Sequence, residues 1–187
     1  MITLLFVRHG ETDWNREGRF QGAQDIPLND DGRAQARKLA EGWDEGGDLL
    51  LASPLSRAWE TAGVLAQTLN LTPQSDPRLV ERSYGQGEGL TQAERQTRFP
   101  DGQVPGLEST ESLRARVQGF LDSMSRDHDG RRLVVVSHGG FINAALWVVS
   151  GGEVGTGKSF LANASVSRIE FSAHGWSVAS VGRTHTP

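Results

Sequence analysis

Two histidines in this chain follow short apolar runs and stand directly before glycine. His9 comes after Leu4–Val7 with Arg8 between them, and His138 comes after Leu133–Val136 with a serine between them. A short apolar run that ends at glycine is typical of a strand buried on both faces of a parallel sheet, where ligands bind beyond the carboxyl ends of the strands. Either pair alone could simply begin a turn. The recurrence and the adjacent arginine predict instead that both histidines and Arg8 meet in one functional site.

Arg57 is a candidate for the same edge of the sheet. It follows the apolar run Leu49–Ala52 and falls in the first turn of a helix that Ser53-Pro54 is expected to start, with serine as the cap. An arginine there opposes the helix dipole, which favours anions at that end. An anion held between the arginine and the helix would explain this choice, whereas a solvated surface arginine is the simpler alternative.

Glu81 is a further candidate because of where it stands in the chain. It ends the short apolar run Leu79-Val80, much as Arg8 and His9 end theirs, and the glycine-rich segment Gly85–Gly89 follows it. We therefore expect its carboxyl group near the same site.

The alternation of strands and helices predicts a three-layer α/β/α fold with a mostly parallel sheet, in one domain that spans residues 1–187. Near the C-terminus, Val166–Phe171 and Trp176–Val178 flank a turn at Ala173–Gly175, which predicts an antiparallel hairpin at the sheet edge. Apolar residues at helical spacing, with caps and breaks around them, predict the helices. These run from Asn29 or Asp30 to Gly46-Gly47 with Trp43 on the apolar face, from Ser53-Pro54 through Leu69, from Thr91 to Phe99, through Leu113–Met124, and from Phe141 to Val149.

The composition excludes several classes of protein. A formal net charge of −4 argues against binding to nucleic acid or to a membrane surface. The absence of cysteine excludes disulfides, thiolate nucleophiles and cysteine zinc sites. The first apolar run is too short for a signal peptide, and no later stretch reaches the roughly 20 apolar residues that cross a bilayer. We therefore expect a cytoplasmic protein.

The segment Gly152–Ser159 fits the P-loop expression letter for letter. A P-loop needs a strand before it and a helix after it, so that backbone amides can wrap a phosphate. Here a predicted helix precedes the segment and the predicted hairpin soon follows it. We therefore interpret it as a flexible glycine loop that binds no nucleotide.

Taken together, these motifs resemble the histidine phosphatase superfamily, and within it the phosphoglycerate mutase-like branch. The resemblance rests on Arg8-His9-Gly10-Glu11-Thr12, Arg57, Glu81 and Ser137-His138-Gly139-Gly140. It runs nearly end to end and also includes Trp14-Asn15, Arg19-Phe20-Gln21-Gly22, Asp25-Ile26-Pro27-Leu28, Ser53-Pro54-Leu55-Ser56-Arg57-Ala58, Glu108-Ser109 and Asn163-Ala164-Ser165-Val166-Ser167.

The resemblance implies a role for each matching residue. His9 is expected to take the phosphoryl group as phosphohistidine, and Glu81 to donate and accept the proton. No metal and no cofactor is implied. The catalytic set is His9, Glu81, His138, Arg8 and Arg57, and contacts to the phosphate or the rest of the substrate are implied for Arg8, Asn15, Gln21, Gly22, Arg57, Glu81, His138 and Gly139.

The chain departs from its relatives at two places. Gly87 stands where many relatives have an aromatic residue, which puts one wall of the substrate pocket in question. The segment Leu90–Thr110 is shorter than the basic insertion of the true mutases, and its cations are Arg95 and Arg98. This difference favours a phosphatase that acts on a small phosphorylated metabolite.

Two other functions remain open at this point. The first is a phosphoglycerate mutase that depends on 2,3-bisphosphoglycerate, and the second is a non-catalytic phosphate-binding module on the same fold. The intact set of nucleophile, cations and acid argues against the module, since a binder has no need for an acid opposite a nucleophile. The sequence does not fix the oligomeric state or which phosphomonoester is hydrolysed.

Overall fold

Six strands form one sheet in the computed structural model, which describes residues 1–184. They are β1 (Ile2–Arg8), β2 (Leu49–Ala52), β3 (Gln74–Ser75), β4 (Arg132–Ser137), β5 (Val166–Ser172) and β6 (Gly175–Arg183). The order across the sheet is β3-β2-β4-β1-β5-β6. The first four strands in this order are parallel, and β5 and β6 complete the sheet as an antiparallel hairpin at one edge.

Helices cover both faces of this sheet. Within residues 1–184 they are α1 (Asp13–Arg16), α2 (Asp30–Glu41), α3 (Ser56–Leu69), α4 (Gln92–Arg98), α5 (Thr110–Asp127) and α6 (Gly139–Val149). Helices α2 and α3 pack on one face, and α5 and α6 pack on the other. None of these helices is both long and apolar enough to cross a membrane. The predicted three-layer fold, the mostly parallel sheet and the edge hairpin are confirmed.

Strand β1 shows why the apolar run before His9 is continuous. Successive side chains of a strand point to opposite faces, so Leu4 and Phe6 enter the core under α5 and α6, while Leu5 and Val7 enter the core under α2 and α3. All four side chains are fully buried. Because both faces of the strand are covered, its central run Leu4–Val7 is entirely apolar, and the first charged residue is Arg8 at its end.

Three predicted helix boundaries are wrong, and one of them is the start of α6, which begins at Gly139 instead of Phe141. Helix α2 ends at Glu41 because Gly42 caps it, so Trp43 lies outside the helix and Gly46-Gly47 plays no part in its end. Helix α3 begins at Ser56 instead of Ser53-Pro54.

The start of α3 is capped from another part of the chain. The Ser56 backbone N–H donates to Asp25 Oδ1 at 2.7 Å, which satisfies one of the free amides at the start of the helix. Ser53 is not the cap because its hydroxyl accepts from Leu55 N and lies 2.8 Å from His138 Nε2.

Two other segments differ in detail from simple sequence patterns. The run before Glu81 is a 3-10 turn, Pro77–Leu79, and the edge position of the sheet beside β2 is taken by β3, which the sequence pattern did not predict. The P-loop-like segment Gly152–Ser159 consists of turns that follow α6, and Lys158 Nζ donates to Gly152 O. The predicted helix before this segment is confirmed as α6.

The loop after β1 contacts the first turn of α2 through two glycines. A Cβ atom at Gly32 would lie 2.0 Å from Glu11 O, and one at Gly10 would lie 2.4 Å from Gly32 O. Both obstacles are backbone atoms, which no change of side-chain rotamer can relieve. This close contact holds the loop that carries His9 against the helix layer.

We predict that Gly32→Ala lowers the free energy of unfolding by about 1–3 kcal/mol, because the loop and helix must separate. Gly63 in α3 and Gly119 in α5 are helical glycines where a Cβ meets nothing within 4 Å. Alanine at either should raise the free energy of unfolding by about 0.5–1 kcal/mol. Urea unfolding of the three variants measures this, and a neutral or stabilising Gly32→Ala would show that the contact is unimportant.

Candidate active site

The parallel pairing of β1 with β4 brings the two histidines together. Arg8 lies opposite Ser137 in the ladder, and His9 N donates to Ser137 O at 3.1 Å. The imidazole rings of His9 and His138 have centroids 5.1 Å apart, and both residues are buried. The structure therefore confirms that the two strand ends meet at one edge of the sheet.

The tautomer of His9 is fixed by its own backbone neighbour. Its Nδ1 lies 2.6 Å from Gly10 O, and because a carbonyl can only accept, Nδ1 carries the proton and Nε2 keeps its lone pair. Burial lowers the pKa of His9 well below 6.5, and the charges of Arg57 and Arg8 lower it further. His9 is therefore a neutral imidazole at pH 7, which is the nucleophilic form.

His138 has the opposite tautomer. Arg57 Nε donates to His138 Nδ1 at 3.2 Å, so the proton is on Nε2, which donates to Ser53 Oγ at 2.8 Å. Burial, then the charge of Arg57, lowers the pKa of His138 well below 6.5. Ser53 thus belongs to the site as the partner of His138, although its sequence context indicates a helix cap.

Arg57 is fully buried and links several parts of the site. Besides its bond to His138, it donates to Gln24 O at 2.7 Å and to Gly22 O at 2.9 Å. Burial lowers the pKa of Arg57, and the charge of Glu81 opposes this shift. Gly22, a predicted substrate contact, does not line the cavity and instead holds the guanidinium through its carbonyl.

Arg8 contributes a second guanidinium beside His9. One of its terminal nitrogens donates to Leu161 O, while its Nε is buried with no partner among the residues that the structure describes. A Cβ at Gly139 would lie 3.4 Å from that Nε, so the small residue at the start of α6 lets the arginine lie close. Burial lowers the pKa of Arg8, partly offset by Glu81.

The Glu81 carboxyl group lies at the N-terminus of α6. Its Oε2 accepts from Gly140 N at 3.0 Å, and its Oε1 accepts from Phe141 N at 3.1 Å and from Arg82 N at 2.8 Å. A Cβ at Gly140 would lie 2.4 Å from Oε1. The second glycine of the motif therefore makes room for the carboxyl group on the cavity wall.

A polar network supports the loop after His9. Asn15 Oδ1 accepts from Thr12 N and from Asn163 Nδ2, and Asn163 also donates to His9 O at 3.0 Å. Gln21 Oε1 accepts from Thr12 Oγ1 at 2.9 Å. Asn15 and Gln21 line the cavity as predicted candidates, whereas Thr12 and Asn163 were given no role from the sequence although both lie in the matching motifs.

Several of these residues line one cavity of about 350 Å³, a size typical of sites for small molecules. His138, a predicted catalytic and substrate-binding residue, is fully buried and does not line this cavity. The lining residues around the two strand ends, which we call the inner end of the cavity, are Arg8, His9, Arg57, Glu81, Gly139 and Gly140, with Asn15 and Gln21. The remaining lining residues, which we call its outer part, are Arg19, Phe20, Arg82, Tyr84, Leu113, Asn143, Thr156, Gly157, Ser159, Phe160 and Leu161. The P-loop-like segment thus contributes to the rim of the cavity.

The aromatic wall that the sequence left in question is formed by other residues. Phe20 and Tyr84 pack with ring centroids 4.8 Å apart and ring planes tilted by 47°. Gly87 is buried behind them and does not line the cavity. Arg95 lies beside Gly87 with its guanidinium 5.1 Å from the Phe20 ring centroid. Burial raises the pKa of Tyr84, so its phenol stays protonated.

Comparison with known proteins identifies the family. A sequence model of the histidine phosphatase superfamily (branch 1) matches residues 4–184. The chain belongs to this superfamily. As a histidine phosphatase it is an enzyme that hydrolyses small phosphorylated metabolites through a phosphohistidine, as the sequence predicted. In residues 1–184 no group of three or more His, Cys, Asp or Glu side chains could hold a metal ion.

Three similar proteins show the range of this histidine phosphatase's relatives. It is 38% identical over 179 residues to the uncharacterized phosphatase PhoE of Bacillus subtilis, covering 95% of this chain and 93% of that protein. It is 34% identical over 200 residues to the probable phosphoglycerate mutase GpmB of Enterobacter sp. (strain 638), covering 97% and 93%. The mycobacterial glucosyl-3-phosphoglycerate phosphatase, solved with VO3, superimposes with a TM-score of 0.87 at 28% identity, covering 96% and 98%.

The lowered pKa values of the two buried histidines predict how stability depends on pH. In the unfolded chain an imidazole takes up a proton below about pH 6.5, whereas the folded site keeps His9 neutral until well below that pH. Stability is therefore lost as the pH falls below 6.5, with a slope approaching about 1.4 kcal/mol per pH unit for each such histidine.

Urea unfolding of the wild type and His9→Asn between pH 7 and pH 5 tests this dependence. The difference in the free energy of unfolding between the wild type and the variant should shrink as the pH falls, because only the wild type loses the contribution of His9. His174→Asn is the control, since His174 is exposed in the β5–β6 turn. If the wild type and His9→Asn show parallel pH profiles, His9 is not held neutral by the fold.

Proposed function

We propose that His9 is the nucleophile of this phosphatase and that Arg8, Arg57, His138 and Glu81 complete its catalytic site. The observation that carries the proposal is the state of His9. It is buried and neutral, its Nδ1 is tied to Gly10 O, and its Nε2 is free to attack beside the buried guanidinium of Arg57 and the partly buried one of Arg8. An in-line attack on a phosphoryl group needs this combination of a positioned nucleophile and fixed positive charge.

The reaction proceeds in two transfers. In the first, His9 Nε2 forms a bond to phosphorus, the bond from phosphorus to the leaving oxygen breaks, and Glu81 gives its proton to that oxygen. In the second, water attacks the phosphohistidine, the nitrogen–phosphorus bond breaks, and Glu81 takes the proton of the water. Inorganic phosphate leaves, and both His9 and Glu81 return to their starting states.

The arginines neutralise the phosphoryl oxygens in both transfers. Forked guanidinium donors match phosphate oxygens and strengthen where water is excluded. The buried Nε of Arg8, which has no partner among residues 1–184, is a donor that faces Gly139 at the inner end of the cavity. We propose that these side chains supply the charge stabilisation without a metal, so that activity survives thorough chelation.

The outer part of the cavity favours hydrolysis over the mutase reaction that the name of one relative suggests. A mutase must hold a second phosphate while the intermediate turns round, which requires further cations at the outer wall. Here Arg19 pairs with Glu17 and Glu94, and Arg95 stacks on Phe20. We propose a small cytoplasmic phosphomonoester whose leaving group lies against Phe20 and Tyr84.

A phosphohistidine should be trapped when labelled substrate is mixed rapidly with the enzyme and quenched. The species should be labile in acid and stable in base, and His9→Ala should not form it. Vanadate should inhibit turnover because it can adopt the five-coordinate geometry of the transferring phosphorus. A phosphoprotein that still forms in His9→Ala would remove His9 from the proposal.

Glu81→Gln should separate substrates by their leaving groups. A general acid contributes about 10²–10⁴-fold when the leaving group is a poor one, and much less when it is already a stable anion. Glycerol phosphate hydrolysis should therefore fall by that factor, while p-nitrophenyl phosphate hydrolysis falls far less.

Asp13→Asn is the matched control for Glu81→Gln, because Asp13 is an exposed carboxylate in the neighbouring motif. It should leave both rates close to those of the wild type. Equal slowing of both substrates in Glu81→Gln would mean that Glu81 supports the pocket and that another group supplies the proton.

A further inference from the structure

The segment that carries Glu81 has little regular structure of its own. It follows the 3-10 turn Pro77–Leu79, and residues 81–83 belong to no helix or strand. No sheet ladder therefore fixes the direction in which Glu81 leaves the backbone. A general acid must lie within hydrogen-bond reach of the leaving oxygen to transfer its proton, so tertiary contacts have to supply the positioning.

Arg116 of α5 supplies contacts on the N-terminal side of Glu81. One terminal nitrogen of its guanidinium donates to Arg78 O at 2.8 Å and to Val80 O at 2.7 Å. The other lies 3.5 Å from Glu81 O. One side chain thus contacts the carbonyls of three of the four residues from 78 to 81, just where the 3-10 turn ends.

Glu108 holds Arg116 and completes the contact on the C-terminal side. Its two carboxylate oxygens accept hydrogen bonds from Arg116 Nε at 3.2 Å and from a terminal Arg116 nitrogen at 2.7 Å, so the ion pair is bidentate. Its backbone N–H donates to Ser83 O at 2.9 Å, and its carbonyl accepts from Arg82 Nε at 2.9 Å. The side chains of Arg116 and Glu108 are only 18% and 15% exposed, so the pair is shielded from water.

The Arg116 guanidinium also lies against Phe141, the residue whose backbone N–H binds the Glu81 carboxyl group. Its centre is 5.4 Å from the ring centroid of Phe141, whose backbone N–H donates to Glu81 Oε1. Arg116 therefore contacts both the backbone that presents the acid and the residue that binds its carboxyl group. We infer that Arg116, held by Glu108, is a positioning residue for the general acid of this phosphatase.

This inference rests on the proposed role of Glu81, so its test measures both. Glycerol phosphate and p-nitrophenyl phosphate are compared in Arg116→Gln, Glu81→Gln and the double variant. Because a misplacement of about 1 Å can cost about 10²-fold, Arg116→Gln should lower the kcat for glycerol phosphate by about that factor. The kcat for p-nitrophenyl phosphate should change far less, which general damage to the fold would not produce.

The double variant identifies the route of the effect. If Arg116 acts through the acid, adding Arg116→Gln to Glu81→Gln should lower glycerol phosphate turnover little further. Arg116→Lys keeps the charge, which also acts on His138, but loses the fork, and it should show the same selectivity. Arg116→Lys also replaces Arg116→Gln in the test if Arg116→Gln does not fold. Arg126 is an exposed arginine later in α5, and the control variant Arg126→Gln should change neither rate.

The two possible failures are distinguishable. If Glu81→Gln is selective for the poor leaving group but both Arg116 variants slow the two substrates equally, the acid stands and the positioning role is overturned. An undiminished effect of Arg116→Gln in the Glu81→Gln background overturns it as well. If Glu81→Gln itself slows both substrates equally, the acid role fails and the inference fails with it.

Discussion

The burial of the Arg57 guanidinium and of Arg8 Nε beside two buried histidines is the constraint on which the site depends. A cation removed from water is costly unless it is paired and hydrogen-bonded. Arg57 meets this requirement with two carbonyls and an imidazole nitrogen, and Arg8 with one carbonyl and the nearby charge of Glu81. These partners are only partly negative or shared, so a phosphate dianion is the ligand that compensates the pair most fully.

The same two cations set the state of the histidines. Their charges add to burial in lowering both imidazole pKa values, and the Nε–H of Arg57 forces the proton of His138 onto Nε2. His9, by contrast, has its proton on Nδ1 because a carbonyl faces that atom. The two arginine charges and the Gly10 carbonyl together thus determine that both imidazoles are neutral and which ring nitrogen of each carries the proton.

Much of this arrangement could be predicted from the sequence because it follows from strand ends. Strands β1 and β4 are apolar runs that must be buried, and parallel pairing places their last residues side by side. Arg57 was placed correctly although its helix starts two residues later than expected. The reason is that the strand before it, β2, fixes the position regardless of the cap.

Other parts of the site could not be predicted, because they depend on contacts between distant segments. The Ser53 hydroxyl could cap a helix or bind a histidine 85 residues away, and local pattern indicates only the first. Asn163 reaches His9 from a loop 154 residues later in the chain. In the sequence, Arg116 is one of several polar positions on an amphipathic helix. Its three carbonyl contacts depend on the path of the irregular segment that carries Glu81.

The contrast between the inner end and the outer part of the cavity also bears on which reaction follows the first transfer. Phosphoryl transfer tolerates little misplacement, and the proposed groups are held at the ends of β1 and β4, in the first turn of α3 and, for Glu81, by hydrogen bonds to the start of α6. The fate of the phosphohistidine is decided in the outer part of the cavity, where Arg19 is paired with two glutamates and Arg82 donates to Glu108 O. With those cations engaged by the protein, a second anionic group gains little there. In the proposed mechanism, the first product is therefore released before it can turn round, and water is the acceptor of the second transfer.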